Sequence, residues 1–351
     1  VEIIPLLLLL IIPFALWRMW RGPQGAGLAH SDPAFDPAEG QREAHEARQL
    51  LIDQDWSRLS QLFGRLGPSD RYHLIETLGE LLKDAPPRPP EDAESAILTL
   101  TGGVILFQGL SPSGPAGGGA RGLSARRSGY LGEAGRLLAR ALGAHPADTT
   151  ALSLSLRLER ATTRDPGQIN NLLGRIEASG EANLYAGVNR LLAASPQEGG
   201  SLAALWTAAN EEAASGPNAA WLALPARAHI EEWRYAMAFP YGSPERAAMI
   251  DRMQDDGFRR HLARLDDMFW ASAARQPLSG AEASFAHNHF AFLMNLVNAG
   301  DRVRPHLERM GPFIARYPWI YLPTGASRPT QLLADLQERY GLPGQAPRKR
   351  P

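Results

Sequence analysis

The sequence predicts an all-α protein, an α-solenoid of antiparallel helix pairs behind an N-terminal transmembrane helix. Three observations carry that expectation. Residues Ile3 to Trp17 form an almost unbroken apolar run, closed by Arg18 and Arg21. Beyond it, apolar residues recur at spacings of three and four nearly everywhere, the period of an amphipathic helix. Short breaks rich in Pro, Gly and Asp separate these segments, as turns between paired helices require.

The first element is a membrane anchor over residues 1–21. A spanning helix needs about 20 residues, with about 17 as a lower limit. The run reaches that limit if Leu8 sits at mid-membrane, Trp17 and Trp20 lie at the interface, and Arg18 extends its guanidinium to the headgroups. Pro5 and Pro13 are tolerated in such a setting. A cleaved signal peptide is the competing reading, with Gly27-Leu28-Ala29 as the cleavage site. The absence of Lys or Arg before the apolar core and the two Arg after it describe a stop-transfer flank instead. Positive flanks stay cytoplasmic, so the expectation is a single pass through a bacterial inner membrane with the body on the cytoplasmic side.

Residues 22–36 read as a flexible tether. Residues 37–342 read as a helical-repeat body with breaks at 85–92 (Pro-rich) and 111–128 (Gly-rich at its start). Residues 343–351 read as a basic tail. Within the body, Ala44, Ala47, Leu50 and Leu51 share one helical face. Asp55 is placed to cap a helix carrying Trp56, Leu59, Leu62, Phe63 and Leu66. Ser69 or Asp70 opens the next, with Leu74, Ile75, Leu78, Leu81 and Leu82. Leu131, Ala134, Leu137, Leu138, Ala141 and Leu142 form a further stripe that stops at His145-Pro146. Asp148 then caps residues 149–162. There Leu152, Leu154, Leu156 and Leu158 alternate as in a strand, yet Ala151, Leu154, Leu158 and Ala161 make a helical face, and no strand partner is in sight. Gly300 and Asp301 read as a helix stop and a new cap. They separate a helix bearing Ala286, His289, Phe290, Leu293 and Val297 from one bearing Val303, Leu307, Met310, Ile314 and Tyr317.

Ala134, Leu138, Ala141 and Pro146 stand at the spacing A-x3-L-x2-A-x4-P, which resembles the second helix of a tetratricopeptide repeat. The Trp, Gly and Tyr positions of the family's first helix fall in the Gly-rich stretch and are not matched. Gly187 to Pro196 resembles the end of a second unit, roughly 50 residues on, where the family's period is about 34. The segments ARQLLIDQDWSRLSQLF and HNHFAFLMNLVNAGD are similar to bacterial proteins with tetratricopeptide-like helices of unassigned function. Over most of residues 37–322 the resemblance implies a protein-binding scaffold, with no catalytic residues.

Composition limits the alternatives. A formal net charge of −1 leaves no basic excess for nucleic-acid phosphates. With no cysteine, disulfides, thiolate metal sites and cysteine nucleophiles are excluded. Lys83 and Lys349 are the only lysines, and the other basic residues are Arg.

Several constellations have a bland and a sharp reading. His287 and His289 lie two apart, where helical side chains diverge and do not share an ion. The expectation is a hydrogen-bonded His289 on the core side and an exposed His287, with no metal. His229 and Glu232 share a helical face but lack the second His of a zinc-protease motif, so an intrahelical hydrogen bond near a helix start is expected. The Gly-rich stretch lacks the Lys-Ser/Thr of a phosphate loop. Asp255-Asp256 and Asp266-Asp267, interleaved with Arg252, Arg259, Arg260 and Arg264, read as a solvated face. Large aromatics crowd residues 206–241 and 269–321. Paired with Arg they fill cores or make binding hot spots; on the second reading Arg227, Trp233, Arg234, Asn288 and Trp319 line a groove for a peptide. The functional expectation is a membrane-anchored scaffold that binds a protein or peptide in a concave groove, with no cofactor, no metal and no nucleic acid. The alternative is an enzyme on a helical scaffold using His229, Glu232, His287 or His289.

Overall fold

The computed structural model describes residues 36, 38, 41–82, 86–111, 120–322 and 328–342. The predicted anchor residues Leu8, Trp17, Arg18, Trp20 and Arg21, the tether before Asp36 and the basic tail lie outside the described residues. Among the described residues there is no strand, and no helix is long and apolar enough to cross a membrane.

The helices are α1 (Arg42–Ile52), α2 (Trp56–Arg65), α3 (Pro68–Leu81), α4 (Ser95–Leu110), α5 (Ala120–Ala144), α6 (Thr149–Ala161), α7 (Pro166–Ser179), α8 (Leu184–Ala193), α9 (Leu202–Ser215), α10 (Ala223–Met237), α11 (Pro244–Gln254), α12 (Asp256–Ala273), α13 (Gly280–Leu296), α14 (Gly300–Met310) and α15 (Pro329–Arg339). Asp55 caps α2 by accepting from the Arg58 amide, and Asp148 caps α6 through Thr150 and Ala151. Each side-chain oxygen satisfies amides that the helix itself leaves open.

The chain divides into two compact units. The first comprises Asp36–Pro225 and Ala271–Ala283. The second comprises Ala226–Trp270 and the described residues from Ser284 onward. The first unit packs around α3, α4 and α6. Helix α3 touches α1, α4, α6 and α8, and α6 touches α3, α4, α5, α7 and α8. Hydrogen bonds from Leu184 to Ser69 and from Asn189 to Tyr72 join α8 to α3. A linear repeat stack contacts only its neighbours, whereas these contacts skip over the intervening helices. Helix α4 is apolar all round, the pattern of a helix at the centre of a bundle. Its Gly103 lets α3 and α6 approach: a Cβ there would lie 2.4 Å from Ile75 Cγ2 and 2.8 Å from Leu154 Cδ1.

Some boundaries differ from the expectation. Residues 120–128 are helical, the start of α5, although the break was expected to run to 128. Gly122 is the one glycine of that stretch and costs a helix about 1 kcal/mol; Ala125 to Ser128 are exposed and extend a helix that packs on α4. Residues 149–161 are helix; their strand-like alternation arises because α6 is packed on several sides, which removes the one-faced period. Helix α3 starts at Pro68, with Gly67 before it and no side-chain cap. The stop before α14 is Asn298 in the left-handed region (φ 55°), and Gly300 opens α14. That helix ends at Met310, where Gly311 adopts φ 63°, so Ile314 and Tyr317 lie beyond it.

Candidate functional site

In the second unit the side chains singled out for function fall into three buried networks. The first is built on α10. Arg227 and Glu231 are one helical turn apart, and Arg227 Nη2 lies 2.8 Å from Glu231 Oε1. Arg234, one turn further on, reaches Glu231 Oε2 at 2.9 Å. Tyr317 Oη donates to Glu231 Oε1 at 2.6 Å, and the Arg227 guanidinium lies 3.5 Å from the centre of the Tyr317 ring. Arg234 donates to Tyr321 Oη at 2.7 Å. His289 Nδ1 sits 2.6 Å from the Phe285 carbonyl, which requires the proton on Nδ1. Its Nε2 lone pair then faces Arg227 Nη1 at 3.3 Å. Burial, then the charge of Arg227, holds His289 well below the usual histidine range. Burial likewise pushes Tyr317 well above the usual tyrosine value.

The second network surrounds Asn288. Its Oδ1 accepts from Trp319 Nε1 at 2.8 Å and from the Ala315 amide at 3.1 Å, and its Nδ2 donates to the Ser284 carbonyl. The Trp319 ring meets Phe292 edge-on, and Phe292 meets Trp233. Of the five residues expected to line a groove, Arg227, Trp233, Asn288 and Trp319 are buried, and Trp319 is 0% exposed. Only Arg234 keeps a partly exposed side chain. The structure brings them into neighbouring clusters of a core, where a peptide does not reach them without repacking.

The third network was not anticipated. Asp266 Oδ1 lies 2.9 Å from His306 Nε2, and His306 Nδ1 lies 2.9 Å from His287 Nδ1. Arg302 donates to Asp266 Oδ2 and to Asp267 Oδ1. The His306 ring stacks on Phe290, and Trp270 packs against both imidazoles. Two expectations are corrected here. His287 is buried rather than exposed, because α14 covers that side of α13 with His306. Asp266 is also buried, and only Asp267 of the pair lies on a solvated face. Burial, then His306 and Arg309, lowers His287 to about 3.

His229 and Glu232 belong elsewhere. They stand 3.9 Å apart in the middle of α10, too far for the expected hydrogen bond. Glu232 instead accepts from Arg252 at 2.7 Å. His229 packs against Phe258 and His261, and burial, followed by Arg252 and His261, holds it well below the histidine range. The four residues named for an enzyme therefore sit in three surroundings. Among the described residues no group of three or more His, Asp or Glu is arranged to hold a metal ion.

The partners that sequence reasoning missed are Glu231, Asp266, Arg302, His306 and Tyr321. Spacing does carry a signal for the pairs Arg227/Glu231 and Glu231/Arg234, which share one helical face. No spacing links Asp266 to His306. No protein-family model, curated protein or solved structure matches this chain.

Proposed function

We propose that this chain is a membrane-tethered helical scaffold that binds a protein partner and performs no bond-making chemistry. One observation carries the binding half. Helix α7 has no fully buried residue; Ile169, Leu172, Leu173 and Ile176 recur at i, i+3, i+4 and i+7 and each stays partly exposed although α7 packs against α6 and α8. That spacing is the one by which an amphipathic helix such as α7 lays its apolar face against a groove of a partner. Arg175, which donates to the Pro146 carbonyl, and Glu177, 3.6 Å from Arg190, flank the stripe and would exchange these contacts to fix the partner's orientation. On this reading the binding face is α7 and not the buried set Arg227, Trp233, Asn288 and Trp319. The tetratricopeptide-like spacing at Ala134 to Pro146 supports the same class of function.

The tether rests on the Ile3–Trp17 run and its Arg18/Arg21 flank. Anchoring confines the scaffold and its partner to one surface, which raises their effective concentration. The test is fractionation of full-length chain and of chain lacking residues 1–36. Full-length protein is expected in the membrane pellet after an alkaline wash, with the truncated form in the supernatant. A thiol introduced as Q345C meets no native cysteine and is expected to resist an impermeant reagent in intact spheroplasts. Full-length protein released by the wash removes the tether; labelling from outside reverses the orientation.

A further inference from the structure

The hydrogen-bond parity of the Asp266–His306–His287 chain has a definite consequence. A carboxylate only accepts, so His306 Nε2 carries a proton toward Asp266. Two Nδ1 atoms at 2.9 Å share a hydrogen bond only when one, and not both, carries a proton. The neutral pair therefore has His287 protonated on Nδ1 and its Nε2 bare. A proton added at His287 Nε2 lets the Nδ1 proton cross to His306, whose imidazolium then rests against Asp266. One bond is made at each end, the Nδ1–Nδ1 contact survives, and His287 has changed tautomer. A second proton puts N–H against N–H and the contact is lost.

We infer that this chain is a proton-operated clasp between α13 and α14, closed with no or one added proton and opened by two. Burial and the neighbouring cations keep the incoming charge off His287 itself, which favours its passage to His306. The charged groups that face the pair are Asp266 and Asp267 from α12, and His306, Arg302 and Arg309 from α14. On α13, His289 is engaged with Arg227 instead. Phe269, Trp270 and Phe290 enclose the rings, so water does not replace the lost bond.

The test is histidine 15N NMR of the full chain in detergent micelles from pH 8 to 2.5, which spans the value of about 3 for His287, with amide exchange across residues 300–310 corrected for its intrinsic pH dependence. In the wild type, His287 is expected to switch from Nδ1–H to Nε2–H in the same step that makes His306 an imidazolium. Exchange across 300–310 is expected to rise at least tenfold only below that step. D266N removes the carboxylate that accepts from His306 Nε2 and should move the first step to lower pH. H287F removes the shared proton and should abolish the later rise in exchange. If H287F does not fold, the D266N shift decides. A His287 tautomer that is constant over the whole range, or an exchange profile unchanged in H287F, overturns the clasp.

Discussion

In the first unit the central helix α4 buries Ile97, Leu98, Leu100, Val104, Ile105 and Leu106, with a glycine notch where its neighbours cross. The second unit places Arg227, Glu231, Asp266, His289 and His306 in its interior beside Phe269, Phe290 and Trp319. An apolar core gains from area and tolerates small errors of direction. A polar core gains little from burial itself, because desolvation offsets the attraction, but it penalises every arrangement that leaves a charge unpaired. Around α4 the first unit is therefore sensitive to volume, with partner removal confined to its buried Arg160–Glu198 pair, whereas the second is sensitive to removal of a partner or gain of a proton.

The sharpest way to break that contrast is E231A. It leaves Arg227 buried and Arg234 partly buried without their shared carboxylate, and should cost about 3–5 kcal/mol in denaturant unfolding. A cost below about 1 kcal/mol would mean that the network is solvated after all. Acid comes next. His229, His287 and His289 in the second unit and His73 in the first are all held below the usual histidine value by burial. The unfolded chain therefore binds protons that the folded chain refuses. Stability is complete above about pH 6.5 and is lost as pH falls below it, toward about 3 for His287. Each such histidine costs up to about 1.4 kcal/mol per unit of pH. Amide exchange at pH 5.5 against pH 7.5 should open helices of the second unit before α3 and α4; equal loss in both units would remove the distinction.

Volume is the first unit's weak point. G103A brings a methyl within 2.4 Å of Ile75 Cγ2 and should cost about 2 kcal/mol through overpacking, read as a fall in denaturation midpoint. A neutral outcome would show that α3 and α4 separate freely. The smallest effect is D148A. It removes the α6 cap and an acceptor for Thr99 Oγ1, and should lower stability by about 1–2 kcal/mol.

The same contrast explains what could be read from the chain beforehand. Helices with one covered face were legible: Ala44, Ala47, Leu50 and Leu51 are all buried on α1, and Asp55 and Asp148 cap where expected. Legibility failed where a helix is covered all round. Helix α4 was not picked out, since thirteen of its sixteen residues are buried and a continuously apolar stretch has no period. Helix α6 looked half like a strand for a related reason. Buried charges failed differently. Asp266 sits among Arg at helical spacing and reads as solvated, because its partner His306 is forty residues away and local pattern has no access to pairing. His287 read as exposed on the same ground.

The account stands most directly on the half-covered face of α7. A photoreactive amino acid placed at Leu173 of the chain, with parallel placements at exposed Arg264 and Thr163, tests it in cells. The prediction is one discrete crosslinked species from position 173, lost when Ile176 is changed to Asp and absent from positions 163 and 264. Crosslinking that is equal at all three positions, or that persists in the I176D background, would contradict a partner-binding role for this face.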